Sequence, residues 1–280
     1  MKKIFLLTIS TFALGLDAYV MAGLLIPIGT SFHANISQVG QTVTVFTLCY
    51  ALAAPIFATL LARKPVHKML ALALVIFSIG NAISALSNSL SLLLLARAIA
   101  GIGAGLYSPM AAAAATQLVP TKKRGRALGF IIGGMSTGTV IGVPLGLIIA
   151  KHFGWQATLW LITGLGCIAL TGLLAWFSHI PSACPPSFRQ RLAMLTNIKI
   201  ASIVGISFLT AIASLGLYTY LAPVLHATVG IKSITPYLWV WGIGGVLGSF
   251  SIGSLIDRSK KPRQLMAYIL AIMMLAIVVW

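Results

Sequence analysis

The stretch FALGLDAYVMAGLLIPIG, residues 12–29, is long and apolar enough to belong to a membrane-spanning helix, yet it contains an acidic residue, Asp17. Acids are scarce in the rest of the chain, because the 280 residues include only two of them. The chain is 59% hydrophobic and 8% charged, whereas about 25% of the residues of a soluble domain are charged. This composition indicates a multi-pass membrane protein whose main partner is the lipid bilayer.

Nine segments are long and apolar enough to cross a bilayer, since a helix needs about 20 residues to span a hydrocarbon core of about 30 Å. We predict that all of them are helices, because lipid offers the backbone no hydrogen-bond partners. The predicted segments are residues 4–28, 39–61, 69–87, 90–116, 127–150, 155–178, 199–224, 235–256 and 265–280.

The formal net charge of +17 raises the question of a nucleic-acid partner, but the basic residues are distributed by loop. They concentrate at the N-terminus and in every second connection, as in Lys122, Lys123, Arg124 and Arg126, and the connections between hold few. By the positive-inside rule, the N-terminus and the basic loops lie in the cytoplasm. We therefore expect an inner-membrane protein that does not bind nucleic acid.

A polar connection, SHIPSACPPSFRQRLAMLTN at residues 178–197, separates six predicted helices from three. Its prolines and arginines interrupt the apolar pattern and indicate a boundary between two halves. The expected organisation is an N-terminal six-helix half at 1–178, a cytoplasmic central loop at 179–198 and a partial C-terminal half at 199–280.

Two loops in corresponding positions of the halves are weakly similar. ATLLARKPVHKML, from Ala58, covers the connection after the second segment, and GSLIDRSKKPRQLM, from Gly253, covers the connection after the eighth. Their alignment places Arg63 opposite Arg258 and Ala62 opposite Asp257. Two explanations remain open. The similarity reflects either an internal repeat or the general accumulation of basic residues in cytoplasmic loops.

The loop GSLIDRSKKP resembles the G-x-L-x-D-R-x-x-x-[KR] signature of the major facilitator superfamily. The segment LLLLARAIAGIGAGLYSP is similar to the arginine-bearing motif of the family's fourth helix, with Arg97 in place. GGMSTGTVIGVPLG resembles the antiporter motif of the drug:proton branch, through Gly138, Gly142, Pro144 and Gly146. Together and in this order, the motifs resemble those of the sugar and drug efflux permeases of that branch.

The resemblance implies an all-α major facilitator fold with a six-helix N-terminal half and about three helices of the C-terminal half. Family members carry twelve helices, so it also implies a C-terminally truncated chain without helices 10–12. The implied function is proton-coupled efflux of a small molecule, such as a drug or sugar, by alternating access. The proton gradient would supply the energy, no cofactor is expected, and a monomer is expected. A transport-incompetent fragment or one piece of a split transporter is the alternative.

The resemblance also implies which residues close the cytoplasmic side of the transporter. They are Gly253, Asp257 and Arg258 of the second loop, with Arg63 of the first. A role of the arginines in membrane topology alone is the alternative.

The fifth segment has a small residue at every fourth position, with glycines at 134, 138, 142 and 146. This spacing predicts one face on which the backbone of another helix approaches closely. Pro144 lacks a backbone donor and predicts a local bend. Ordinary helix packing explains the same spacing without any role in antiport.

Asp17 and Arg97 lie at matching depths in the membrane. At 1.5 Å per residue, Asp17 is about 20 Å from the cytoplasmic end of its helix, and Arg97 is about 10 Å below the outer face in an antiparallel helix. An unpaired charge there costs several kcal/mol, so we predict that they pair if their helices adjoin. Burial favours the protonated acid and the arginine favours the carboxylate, which makes the pair a candidate for proton coupling. A static ion pair that only fixes helix packing is the alternative.

Flexible and aromatic side chains on the inner helices are candidates for lining a substrate cavity, although packing is their more common role. They are Met21, Phe46, Tyr50 and Tyr218. No metal site is expected, because the histidines show no HExxH spacing. The predicted helices contain neither paired carboxylates nor a Ser–His arrangement, so no enzymatic activity is expected.

Overall fold

The computed structural model describes residues 2–60, 64–177, 193–194, 196–229, 235–259 and 262–278. Within these ranges the chain forms nine long helices. They are α1 (Lys2–Phe32), α2 (Ile36–Leu60), α3 (Val66–Ala85), α4 (Leu90–Gln117), α5 (Arg124–Thr137, Gly138–Gly142 and Val143–Phe153 in succession), α6 (Trp155–Trp176), α7 (Ile198–Val229), α8 (Thr235–Arg258) and α9 (Pro262–Val278). Each predicted segment falls on one of these helices, so the predicted all-α fold is confirmed.

The helices α1 to α6 are long and apolar enough to cross a membrane. They account for the predicted N-terminal half, whereas most of the predicted central loop at 179–198 lies outside the described residues. Several helices extend beyond their predicted ends. One of these differences concerns a site residue: the eighth segment was expected to stop at residue 256, but α8 continues to Arg258, so Asp257 belongs to the last helical turn rather than to the loop.

Short connections join the first helices, and local side chains define where those helices begin. At the start of α2, Asn35 Oδ1 accepts a hydrogen bond from the Gln38 backbone N–H at 2.8 Å, and Gln38 Oε1 accepts one from the Asn35 N–H at 3.0 Å. This reciprocal capping box satisfies two backbone donors that the helix itself leaves unpaired. Gly154, with φ +86°, forms the sharp turn between α5 and α6, a conformation that glycine adopts without steric cost.

The first six helices pack into one bundle. α3 lies against α4 and α6, α2 lies against α4, and α1 lies against α5 and α6. The fully buried apolar side chains include Leu7, Leu16, Leu70, Leu74 and Leu93. Lipid tails are as apolar as these side chains, so close packing and polar contacts hold the helices together in the bilayer. Of the second half, α8 packs against α5 and connects the two halves.

α5 carries glycines on two faces, and each face meets a different helix. The first face is directed at α1 and consists of Gly134, Gly138, Gly142 and Gly146. The second is directed at α8 and consists of Gly125, Gly129 and Gly133. A β-carbon on Gly138 would collide with the carbonyl oxygen of Phe12, and one on Gly125 would lie 2.8 Å from the carbonyl oxygen of Gly253. The sequence spacing predicted the first face but not the second.

The middle of α5 is a π-helical turn over Gly138–Gly142, directly before Pro144. Pro144 has no N–H to donate to the carbonyl of Val140, and its ring crowds that carbonyl, so the regular α-helical pattern cannot continue through this point. The bend predicted at Pro144 therefore corresponds to a widened turn. This turn lies against α1, in the same stretch where the glycines bring the two backbones together.

We predict that Gly138→Ala destabilises the protein whereas Gly164→Ala does not. The added methyl group at 138 meets the α1 backbone, but at Gly164 of α6 it meets no atom within 4 Å. Overpacking costs about 1–3 kcal/mol, whereas alanine is favoured over glycine by about 1 kcal/mol in an open helical position. Thermal unfolding of the detergent-purified variants would measure both effects, and equal melting temperatures would contradict the close packing of α5 on α1.

Candidate functional site

The structure brings Asp17 of α1 and Arg97 of α4 into direct contact. Arg97 Nη1 donates a hydrogen bond to Asp17 Oδ1 at 2.6 Å, and both side chains are fully buried. The matching depths suggested this pairing, but only the structure shows that α1 and α4 are adjacent. Removing two opposite charges from water together costs far less than burying either one alone.

Asn81 of α3 is the third member of this cluster. Its Nδ2 donates to Asp17 Oδ2 at 3.2 Å and to the carbonyl oxygen of Phe77 at 3.1 Å, and its Oδ1 lies 3.4 Å from Arg97 Nη1. Asn81 is completely buried. Sequence reasoning missed it, although it is the one asparagine inside a predicted spanning segment, and a buried amide in such a segment requires a partner.

The arginine also contacts an aromatic ring of α2. The guanidinium carbon of Arg97 lies 4.2 Å from the centroid of the Phe46 ring, a distance at which cation–π attraction is favourable. Four helices thus meet at one polar cluster, which we call the Asp17 site and which consists of Asp17, Phe46, Asn81 and Arg97. Within the described part of the chain, Arg97 Nε has no hydrogen-bond partner, so this N–H of the guanidinium is uncommitted.

The predicted cavity residues have different surroundings. Met21 is fully buried, Phe46 is 3% exposed beneath the guanidinium, and Tyr50 is half-buried and stacks on Phe46 with 6.2 Å between ring centroids. Tyr218 lies in the part of α7, residues 214–229, of which only the backbone is described. Met21 and Phe46 are therefore packed between helices in this conformation, and contact of any of the four with a substrate stays a prediction.

At the end of the bundle that the sequence predicts to be cytoplasmic, Asp257 caps the beginning of α5. Its Oδ1 accepts a hydrogen bond from the Gly125 N–H at 2.8 Å, and its Oδ2 accepts one from the Arg126 N–H at 2.7 Å. The first N–H groups of a helix have no partners within the helix and carry a partial positive charge, so a carboxylate is stabilised there. The resemblance implied that Asp257 helps to close this side, but it did not identify α5 as the partner.

Three other residues were predicted to close this side, and the structure describes two of them. Gly253 packs directly on Gly125, because a β-carbon on either residue would collide with the other helix. Arg258 is exposed at the end of α8. Arg63 lies outside the described residues. The contact between α5 and α8 continues into the membrane through the hydroxyl groups of Ser136 and Ser249, which are 3.1 Å apart.

Comparison with known proteins agrees with this arrangement. The family profile described as Major Facilitator Superfamily matches residues 7–280. The chain belongs to the Major Facilitator Superfamily. The MFS-type transporter YbcL of Bacillus subtilis is 30% identical over 262 residues, which cover 93% of this chain and 67% of YbcL. A chloramphenicol resistance protein of Streptomyces lividans is 28% identical over 270 residues, which cover 94% of this chain and 68% of that protein.

Solved structures of the superfamily share the fold. The human organic anion transporter MFSD10 superimposes with a TM-score of 0.69 at 17% sequence identity, over 91% of this chain and 71% of that one. The similarity confirms the major facilitator fold. The chain spans about two thirds of the length of the curated relatives that it matches, and these relatives are MFS-type transporters rather than enzymes.

We predict that neutralising one member of the ion pair destabilises the protein more than neutralising both. Asp17→Asn leaves the charge of Arg97 buried without a counter-charge. Arg97→Gln leaves the carboxylate of Asp17 buried without a counter-charge. Breaking a buried pair in this way costs about 3–5 kcal/mol, and removing both charges costs much less. A double-mutant cycle on apparent melting temperatures in detergent would measure the coupling, and additive losses would show that the pair contributes nothing to folding.

Proposed function

We propose that this chain forms part of a proton-coupled efflux transporter that exports a small molecule, such as a drug or a sugar, by alternating access. The observation that carries the proposal is the buried Asp17 site, in which an acid, a base and an amide share hydrogen bonds deep inside the first six helices. Ionisable groups at such positions are costly and often mark ion or proton pathways. The proton gradient would supply the energy without a further cofactor.

A proton-binding role for Asp17 follows from two opposing influences. Burial in the apolar core favours the neutral acid, whereas the guanidinium of Arg97 at 2.6 Å favours the carboxylate. A movement of α1 relative to α4 that lengthens this contact would shift the balance toward protonation. In the proposed cycle, Asp17 takes up a proton from the outer side, the helices rearrange, and the proton leaves to the cytoplasm while the substrate moves outward.

Alternating access would require a contact between the halves that opens and closes, and α5 supplies a suitable one. Its face toward α8 ends in the two hydrogen bonds to Asp257, whereas its glycine face holds it against α1 of the same half. We propose that the Asp257 cap and the contact of Gly253 with Gly125 hold the cytoplasmic side closed. The distribution of basic loops supports an inner-membrane protein with a cytoplasmic N-terminus.

Two observations support the proposed export direction and substrate class. Gly138, Gly142, Pro144 and Gly146 resemble the antiporter motif, and the first two of them begin and end a π-helical turn. One relative is named a chloramphenicol resistance protein, which favours a small organic drug as the exported molecule. We also propose that the transporter acts as a monomer in the bilayer.

Proton movement in inverted membrane vesicles that contain the full chain would test the coupling. After a pH gradient is established, we expect chloramphenicol, the probe for a drug, to dissipate the gradient. Glucose, the probe for a sugar, is tested in parallel. Asp17→Asn should reduce the substrate-dependent flux at least tenfold, because an amide cannot carry the proton. Gly164→Ala, which meets open space, is the matched control. Substrate-dependent proton flux that survives in Asp17→Asn would rule out Asp17 as the coupling residue.

A reversible crosslink would test the closure between α5 and α8. In a chain whose three native cysteines are replaced by serine, we expect Ser136→Cys with Ser249→Cys to form a disulfide on oxidation, because the two hydroxyl oxygens are 3.1 Å apart. The oxidised protein should lose transport of the same probe and regain it after reduction, while each single variant is unaffected by oxidation. Full transport by the crosslinked protein would show that α5 and α8 do not separate.

A further inference from the structure

We infer that Asn81 is a positioning residue of the proton site, whose amide holds the carboxylate of Asp17 and the guanidinium of Arg97 in one geometry and thereby sets the pH at which Asp17 takes up a proton. The inference rests on the proposed function, because it requires that Asp17 exchanges a proton. Nothing in the family motifs identified in the sequence includes α3, so the assignment depends on the contacts of Asn81 alone.

The orientation of the amide follows from its neighbours. Asp17 Oδ2 and the Phe77 carbonyl oxygen can only accept from it, and Arg97 can only donate to it. The amino group must therefore face Asp17 and Phe77, at 3.2 and 3.1 Å, and the amide oxygen must face Arg97, at 3.4 Å. A flipped amide would place its oxygen against two acceptors and its amino group against a cation. The site thus admits one arrangement of Asn81.

The helix that carries Asn81 is held firmly against α4. A β-carbon on Gly80 would collide with the backbone nitrogen of Ala100, and one on Gly103 would collide with the backbone nitrogen of Phe77. The two backbones are therefore in contact at Phe77 and Gly80, within the turn of α3 that precedes Asn81. Because Asn81 also donates to the carbonyl of Phe77 in its own helix, its amide is fixed relative to Arg97 and presents one N–H toward α1.

The bond to Asp17 gives Asn81 an influence on protonation. A hydrogen bond donated to a carboxylate favours the ionised form, and bonds to charged groups are stronger than those between neutral groups. The contact on the other side of the amide, from Arg97 Nη1 to the amide oxygen, is longer at 3.4 Å. Its loss should therefore change the balance between neutral and ionised Asp17 less. Without the amide, Asp17 should hold its proton up to a higher pH.

Asp17 has one charged neighbour among the described residues, Arg97. α1 packs against α2, α4, α5 and α6, and Asn81 brings α3 into contact with it at Asp17. Apart from Arg97 and the basic residues near the ends of α3 and α5, the ionisable side chains described in these five helices are Cys49, Tyr50, Tyr107 and Cys167. None of them hydrogen-bonds Asp17 in the described structure. The donors that control its charge are thus Arg97 and Asn81.

An infrared pH titration of the full chain in lipid would test the inference directly, because the sequence contains only two acidic side chains. The carbonyl stretch of protonated Asp17 would be assigned as the band that disappears in Asp17→Asn. We expect Asn81→Leu to move the midpoint of this band upward by roughly one to two pH units, the equivalent of one hydrogen bond to a charged group. Asn81→Asp keeps the side-chain shape, removes the donor and adds a second acid, so the pair should retain a proton to a still higher pH.

Ser84→Ala is the matched control, because Ser84 is equally buried one turn along α3 and its hydroxyl bonds only the carbonyl of Gly80. The midpoint of the Asp17 band in Ser84→Ala should equal that of the unmodified chain. An unchanged midpoint in a folded Asn81 variant, or an equal shift in Ser84→Ala, would overturn the inference about Asn81 while leaving proton exchange at Asp17 intact. If the unmodified chain shows no Asp17 band at any pH between about 5 and 9, the proposed function fails instead, and the role of Asn81 fails with it.

Discussion

A carboxylate and a guanidinium that are buried side by side constrain every helix around them. In the apolar core each charge alone would cost several kcal/mol, so Asp17 and Arg97 stabilise each other only in contact. α1 and α4 must therefore keep their relative register, with 2.6 Å between the paired atoms. The glycines that bring neighbouring backbones together serve this requirement, because helices that approach closely cannot slide freely past one another.

α5 connects this ion pair physically with the contact between the halves. Gly15, two residues before Asp17, lies against the carbonyl oxygen of Met135, and Gly138 lies against that of Phe12. Neither contact has space for a shift, so a displacement of α1 at Asp17 must carry α5 with it. The opposite face of α5 holds α8 through Gly125 and the Asp257 cap. A rigid element that touches both sites is the kind of structure through which one site can bias the other.

The sequence predicted positions along the membrane normal much better than lateral neighbours. Hydropathy located the helices, and the rise per residue placed Asp17 and Arg97 at one depth. Which helices adjoin depends on tertiary packing, so the partner of Asp257, 131 residues away in α5, could not be inferred. Asn81 was missed for a similar reason, because an amide has neither the charge nor the periodicity by which Asp17 and the α5 glycines were recognised.

The proton-coupled cycle that we propose requires a second arrangement of the Asp17 site, and the hydrogen-bonding groups of the site allow one. The amide of Asn81 touches both charged groups, so that Arg97 would still find an acceptor at Asn81 Oδ1 if Asp17 became neutral. A neutral Asp17 would then cost less than it would beside an arginine with no second acceptor, which reduces the differential interaction needed to convert one arrangement into the other. An ion pair surrounded only by apolar side chains would have no such second arrangement, because loss of one charge would leave the other unsatisfied.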